Sequence, residues 1–156
     1  MYRSRRGDNE DELKAVLTSL DEQTTDIAMH RRSAALRGLQ FYLRENIPIV
    51  KTIQRGNDVE RQTRGMQIGL LETVIDAGGL DSVVDVAVVV EEEVLLNVSD
   101  VPTAFGVLFG LFYTLYIDYP KQWKYLFEAV QKVFLGLDSE KCSARIQSLR
   151  TKLLQV

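Results

Sequence analysis

The stretch that most constrains this chain is residues 100–120, DVPTAFGVLFGLFYTLYIDYP, which carries no charge from Val101 through Ile117. Ser99 or Asp100 is a natural N-cap, because a side-chain oxygen there accepts from the orphan amides of a first helical turn. Pro102 falls in that turn, where its missing N–H costs nothing. Pro120 stops the helix near Tyr119. Thr103, Gly106, Gly110 and Thr114 recur at three- and four-residue steps and share one side, and aromatic and aliphatic residues fill the rest. A glycine costs roughly 1 kcal/mol in a helix interior, so the stripe implies close approach of another backbone. As a membrane span the run is short, roughly 25 Å against about 30 Å of hydrocarbon. A helix apolar on every side is then a core helix covered by other elements.

The chain of 156 residues is long enough for one domain with a real core. Its single cysteine, Cys142, excludes an intramolecular disulfide and fits a reducing compartment, cytoplasmic or nuclear. The N-terminal MYRSRRGDNEDEL has basic residues but no apolar segment behind them, so it is not a secretory signal.

The net charge of −3 hides a three-part pattern. Bases and acids are mixed over residues 1–64. Between residues 65 and 119 there is no Lys or Arg, while Glu72, Asp76, Asp81, Asp85, Glu91, Glu92, Glu93, Asp100 and Asp118 all fall there. Bases dominate again after Pro120. One reading is an acidic surface for a basic partner. The favoured reading is that the middle is mostly core and takes its basic partners from the flanks.

Residues 1–10 read as a flexible tail. From Glu10, Leu13, Val16, Leu17 and Leu20 recur at helical steps, with acids in the first turn. A second helical piece covers residues 25–36, with Gly38 as its C-cap. LQFYL (39–43) and IVKTI (49–53), separated by a turn at Pro48, read as strands. Residues 54–65 form an exposed loop. MQIGLLETV (66–74) reads as a strand or a helical turn. Gly78 and Gly79 break it from residues 83–98, a Val-rich hairpin turning at Glu91–Glu93. After Pro120, Trp123, Leu126, Phe127, Val130, Val133, Phe134 and Leu137 form an amphipathic helix stopped at Gly136. Asp138 or Ser139 caps a last helix bearing Cys142, Ile146, Leu149 and Leu153.

Little here supports catalysis. His30 is the only histidine, so Ser–His–acid, Cys–His and multi-histidine metal sites all depend on it. One Cys and one His make zinc a poor fit. Glu91, Glu92 and Glu93 with Asp81 or Asp85 could hold a hard cation, but acids at a hairpin tip are usually only solvated. None of the carboxylates sits in a setting that suggests burial, as paired acid–base work would need. Gly106 and Gly110 lie inside a helix and cannot cradle phosphate. Arg55, Arg61 and Arg64 could touch phosphate or RNA, but no aromatic side chain is interleaved for stacking.

ALRGLQFYLRE, the run from residue 100 through LFEAVQKVFLGLD, and CSARIQSLRTKLL together resemble the C-terminal region of uncharacterised fish proteins of the sterile alpha motif domain-containing protein 3-like type. The likeness runs from about His30 to the end. It implies an accessory domain of modular interaction proteins, standing here without the upstream part. It supplies no catalytic residue.

The expectation is therefore an α+β domain over residues 11–156, with a helical segment at 11–37, a strand-rich part at 38–98 and a helical part at 99–156. A small, mainly antiparallel sheet would carry the buried central helix and two further C-terminal helices. The expected function is non-enzymatic protein–protein contact, including self-association, with no cofactor and no metal. The candidate surface comprises Glu91, Glu92, Glu93, Lys121, Trp123, Lys124, Lys132 and Arg145, together with the edge of the 83–98 hairpin. RNA or DNA binding through Arg55, Arg61 and Arg64 is the alternative, and an enzyme with an unrecognised site is the third.

Overall fold

A computed structural model describes residues 27–155 of the chain. The expected tail over residues 1–10 and the amphipathic stretch from Glu10 lie outside the described residues. The fold is α+β. Helix α1 (Ile27–Tyr42) leads to strand β1 (Val50–Gln54), a short helix α2 (Val59–Thr63) and strands β2 (Ile68–Asp76), β3 (Asp81–Val90) and β4 (Glu93–Val98). Helix α3 (Val101–Thr114), a 3-10 turn (Lys121–Trp123), helix α4 (Lys124–Ala129), a π-turn (Val130–Phe134) and helix α5 (Ala144–Leu154) complete it.

The sheet order is β1-β2-β3-β4. β1 runs parallel to β2, and the other pairs are antiparallel. The crossover through residues 55–67 has the dozen or so residues that a parallel connection needs, and it contains α2 where the sequence suggested only loop. MQIGLLETV is a strand. Gly78 and Gly79, both at positive φ, close the β2–β3 turn, where Ala77 N–H donates to Leu80 O at 2.8 Å.

The β3–β4 hairpin turns at the acids, as expected, but with Glu91 and Glu92 at φ 51° and 66°. Such a turn ordinarily takes Asn-Gly or Gly-Gly. The neighbouring segment holds it. Glu91 and Glu92 donate their N–H groups to Gln67 O and Met66 O at 2.6 and 2.8 Å, and Glu92 Oε1 accepts from Gly65 N at 2.9 Å.

The main core lies between one sheet face and the helices. Leu70, Val86 and Val88 from the sheet meet Phe105, Leu108, Phe109 and Phe112 of α3, with Trp123, Leu126 and Phe127 beyond them. Tyr119 stacks on Phe127 with centroids 4.9 Å apart. A smaller cluster of Ile53, Leu71, Ala87 and Val89 fills the opposite face under Met66. A third joins Leu43, Ala129, Ile146 and Leu149.

Several expectations are corrected. LQFY is the last turn of α1 and Leu43 follows it, so LQFYL is not a strand, and Gly38 lies within the helix rather than capping it. Leu36, Leu39 and Leu43 recur at three- and four-residue steps toward the core, and that burial outweighs the local β-preference of Phe41 and Tyr42. The chain leaves the helix through Arg44 at φ 60°.

The central helix is capped as read. Asp100 accepts from Thr103 N at 2.8 Å. Partial burial opposes its ionisation, but the bonds from Thr103 and Ser99 outweigh that and hold the carboxyl below its ordinary value. The helix ends at Thr114, five residues short of Tyr119. Among the described residues nothing packs against its small-residue stripe. Thr103, Gly106 and Thr114 are exposed, and a Cβ added at Gly106 or Gly110 would meet nothing within 4 Å.

The helix after Pro120 is not continuous. The π-turn adds a residue to the spiral, so Val133 still faces the third cluster while Phe134 and Leu135 turn outward at 58% and 53% exposure. Gly136 at φ 65° ends it. The last helix is capped by Ser143, which accepts from Ile146 N, not by Asp138 or Ser139. Among the described residues no helix is long and apolar enough to cross a membrane.

Candidate interaction surfaces

Two carboxylates are buried, against expectation. Glu72, in the middle of β2, retains 4% exposure. It accepts from Arg37 Nη2 at 2.8 Å and from Thr52 Oγ1 at 3.1 Å. An arginine from the N-terminal flank thus neutralises an acid of the base-free middle. Glu45 accepts from Tyr125 N and Leu126 N at 3.1 and 2.9 Å and so caps α4. Burial pushes its carboxyl above the ordinary value, while the two amides and the charges of Arg145 and Lys124 pull the other way. Both groups are spent on joining elements. Alternation around Leu70, Glu72 and Val74 was the available signal for Glu72; nothing local marks Glu45.

The expected surface residues divide. Trp123 is a core residue at 4% exposure, with Nε1 donating to Ile47 O at 2.7 Å, so it offers no surface. Arg145 lies 4.2 Å from the Tyr125 ring centre and donates to Leu43 O at 2.8 Å. Lys124 lies 4.7 Å from the same ring. Lys132 pairs with Glu128 at 3.7 Å and donates to Lys141 O. Arg145 and Lys132 therefore tie separate segments together, Lys124 lies over the ring of its own neighbour, and Lys121 stays exposed. Glu91, Glu92 and Glu93 are exposed at the hairpin tip. Asp81 starts β3 at the far end from Glu91, roughly 30 Å away at about 3.3 Å per residue, so the two cannot share a cation. Among the described residues no group of three His, Cys, Asp or Glu side chains is placed to hold a metal ion.

Arg55, Arg61 and Arg64 are exposed along the crossover that carries α2, interspersed with Asp58 and Glu60. Cys142 is half-buried, and its Sγ lies 2.9 Å from Arg150 Nη2.

A groove of about 510 Å³ is lined by Asp118, Tyr119, Lys124, Glu128, Lys132 and Asp138, with Gln131 at its base. Its polar groups are largely satisfied among themselves. Tyr119 donates to Gln131 Oε1 at 2.7 Å, Gln131 Nε2 donates to Leu137 O at 3.3 Å, and Tyr113 donates to Asp138 at 3.3 Å. Burial, then the charges of Tyr113 and Asp138, push the Tyr119 hydroxyl up to about 12.

Beside this groove the end of α3 breaks a rule. Ile117 N–H reaches Phe112 O at 3.0 Å and Tyr116 N–H reaches Tyr113 O at 3.4 Å. This is a Schellman ending, whose left-handed position ordinarily takes glycine. Here Tyr116 occupies it at φ 52° and is 95% exposed. Leu115 and Ile117 on either side are also exposed. The Tyr113–Asp138 bond ties this end of α3 to the chain just after Phe134 and Leu135.

β1 and β4 are the two edges of the sheet, and β4 carries Leu95 in a bulge between the Val88–Leu96 and Val89–Val94 pairs. Comparison with family models, curated protein sequences and solved structures finds no match for this chain.

Proposed function

We propose that this chain is a non-enzymatic protein–protein interaction module that self-associates, working in the cytoplasm or nucleus. The carrying observation is Tyr116. A left-handed conformation costs a non-glycine residue roughly 1–2 kcal/mol, and the 95% exposed ring buries almost nothing against the described residues to offset it. Local strain of this kind, joined to a large exposed aromatic, is what a contact residue shows. Leu115, Ile117, Phe134 and Leu135 extend the apolar area around it.

The adjoining groove supports a second copy as the occupant. Lys124 and Lys132 stand there beside Asp118 and Asp138, so a two-fold pairing can place each sign against the other. The resemblance to accessory regions of modular interaction proteins agrees with this reading.

Sedimentation velocity over a concentration series tests it. The weight-average coefficient should rise with concentration. Tyr116→Asn, which keeps a residue tolerant of positive φ, and Phe134→Ser should both return the chain to monomer without lowering its melting temperature. A strict monomer at high concentration overturns the proposal.

A further inference from the structure

We propose that the free edge of β4 binds an extended, basic segment of a partner protein as an added strand. The inference rests on the interaction-module reading and concerns a different surface from Tyr116. β4 pairs with β3 on one side, and no further strand among the described residues covers the other. Helix α2 packs against β4, but no backbone hydrogen bond among the described residues takes up the outward N–H and C=O groups of the strand, which leaves them open to strand addition. Val94 and Leu95 on this strand are exposed at 36% and 53% and offer apolar contact to alternate side chains of the incoming segment.

Charge chooses the occupant. Glu91 and Glu93 stand at the start of β4. Beyond its end, the overhanging half of β3 carries Asp81 and Asp85, because β4 reaches only as far as Val86. The ion pairs among the described residues are Arg37–Glu72 and Lys132–Glu128, so none of these four acids is neutralised within the described fold. Arg61 and Arg64, on and just after the helix α2 that packs against β4, form no ion pair with them. A second copy of the same edge would bring acids against acids, which is unfavourable in a strand pair, and would meet a bulge on both sides. A segment alternating Lys or Arg with aliphatic residues matches the edge in hydrogen bonding, apolar contact and charge together.

The test uses the full chain and a fluorescent peptide alternating lysine and valine. A glutamate–valine counterpart and a lysine–valine peptide with a central proline serve as comparisons. Anisotropy should show saturable binding of the basic peptide alone, and hydrogen exchange should slow in β4. Glu93→Lys should weaken binding roughly tenfold with unchanged melting. No binding, equal binding of either comparison peptide, protection outside β4, or an unaffected Glu93→Lys variant overturns the inference. Sedimentation of the same sample separates the two proposals. Self-association without peptide binding removes the edge alone, and a strict monomer without peptide binding removes both.

Discussion

Glu45 Oε1 accepts the backbone N–H of Leu126 at 2.9 Å across 81 residues of sequence. Its other oxygen takes Tyr125 N–H, so one carboxylate satisfies two of the orphan donors at the start of α4. It joins the end of α1 to the C-terminal helices. Glu45→Ala leaves two amides without that partner and should cost about 1–3 kcal/mol, read as a lower urea midpoint.

The same group sets a pH dependence. Burial raises its folded value above the ordinary 4.5, so the folded chain binds the proton more tightly than the unfolded one. Its contribution to stability is fully present below about 4.5 and is lost as pH rises through the folded value. In Glu45→Gln that decline should flatten, as measured by urea midpoints on both sides of the window. An unchanged slope would show that the carboxyl is as well solvated folded as unfolded.

Arg37 and Glu72 form a half-buried link between α1 and the sheet. Breaking a buried pair typically costs about 3–5 kcal/mol. Arg37 keeps 36% side-chain exposure, so screening lowers the expected loss for Arg37→Ala to on the order of 2 kcal/mol. The double variant Arg37→Met, Glu72→Leu should recover most of it, because no charge is then left buried. Thermal melts of the two variants side by side give the comparison.

Gly106 and Gly110 should tolerate a side chain. Their Cβ positions open onto empty space, and alanine is favoured over glycine in a helix by roughly 1 kcal/mol. Each Gly→Ala variant should therefore raise the urea midpoint. A drop in midpoint, concentration-dependent in the wild type, would instead place this stripe in a contact between copies.

Tyr119 should titrate late. Its hydroxyl holds its proton to about 12, so the tyrosinate absorbance of wild type and Tyr119→Phe should coincide up to about pH 11 and part above it. The stability it contributes is present below its ordinary 10 and lost as pH rises through about 12.

Much of the fold is local and was legible in the chain. The Asp100 cap, the Gly78–Gly79 turn and the stop at Gly136 each depend on residues within a few positions of one another. Their chemistry is complete in the sequence. The segment LQFYL is different, because its strand preference is weaker than the burial of Leu39 and Leu43, which exists only once α5 and the sheet are in place. Trp123 looked like surface material for the same reason, since only its packing against Gly69 and the carbonyl of Ile47 shows that it is enclosed.

Local patterning is enough to specify an α+β chain with one capped apolar helix, a valine hairpin and a middle without bases. Which side of that helix faces out, which carboxylates are buried and where the exposed apolar residues gather depend on contacts between distant segments. Helical period assigns residues to faces but not faces to solvent, and the small-residue face was the one left uncovered. Glu45 acquires its role from amides eighty residues away, and Tyr116 acquires its exposure from a left-handed turn that leaves its ring outside the core.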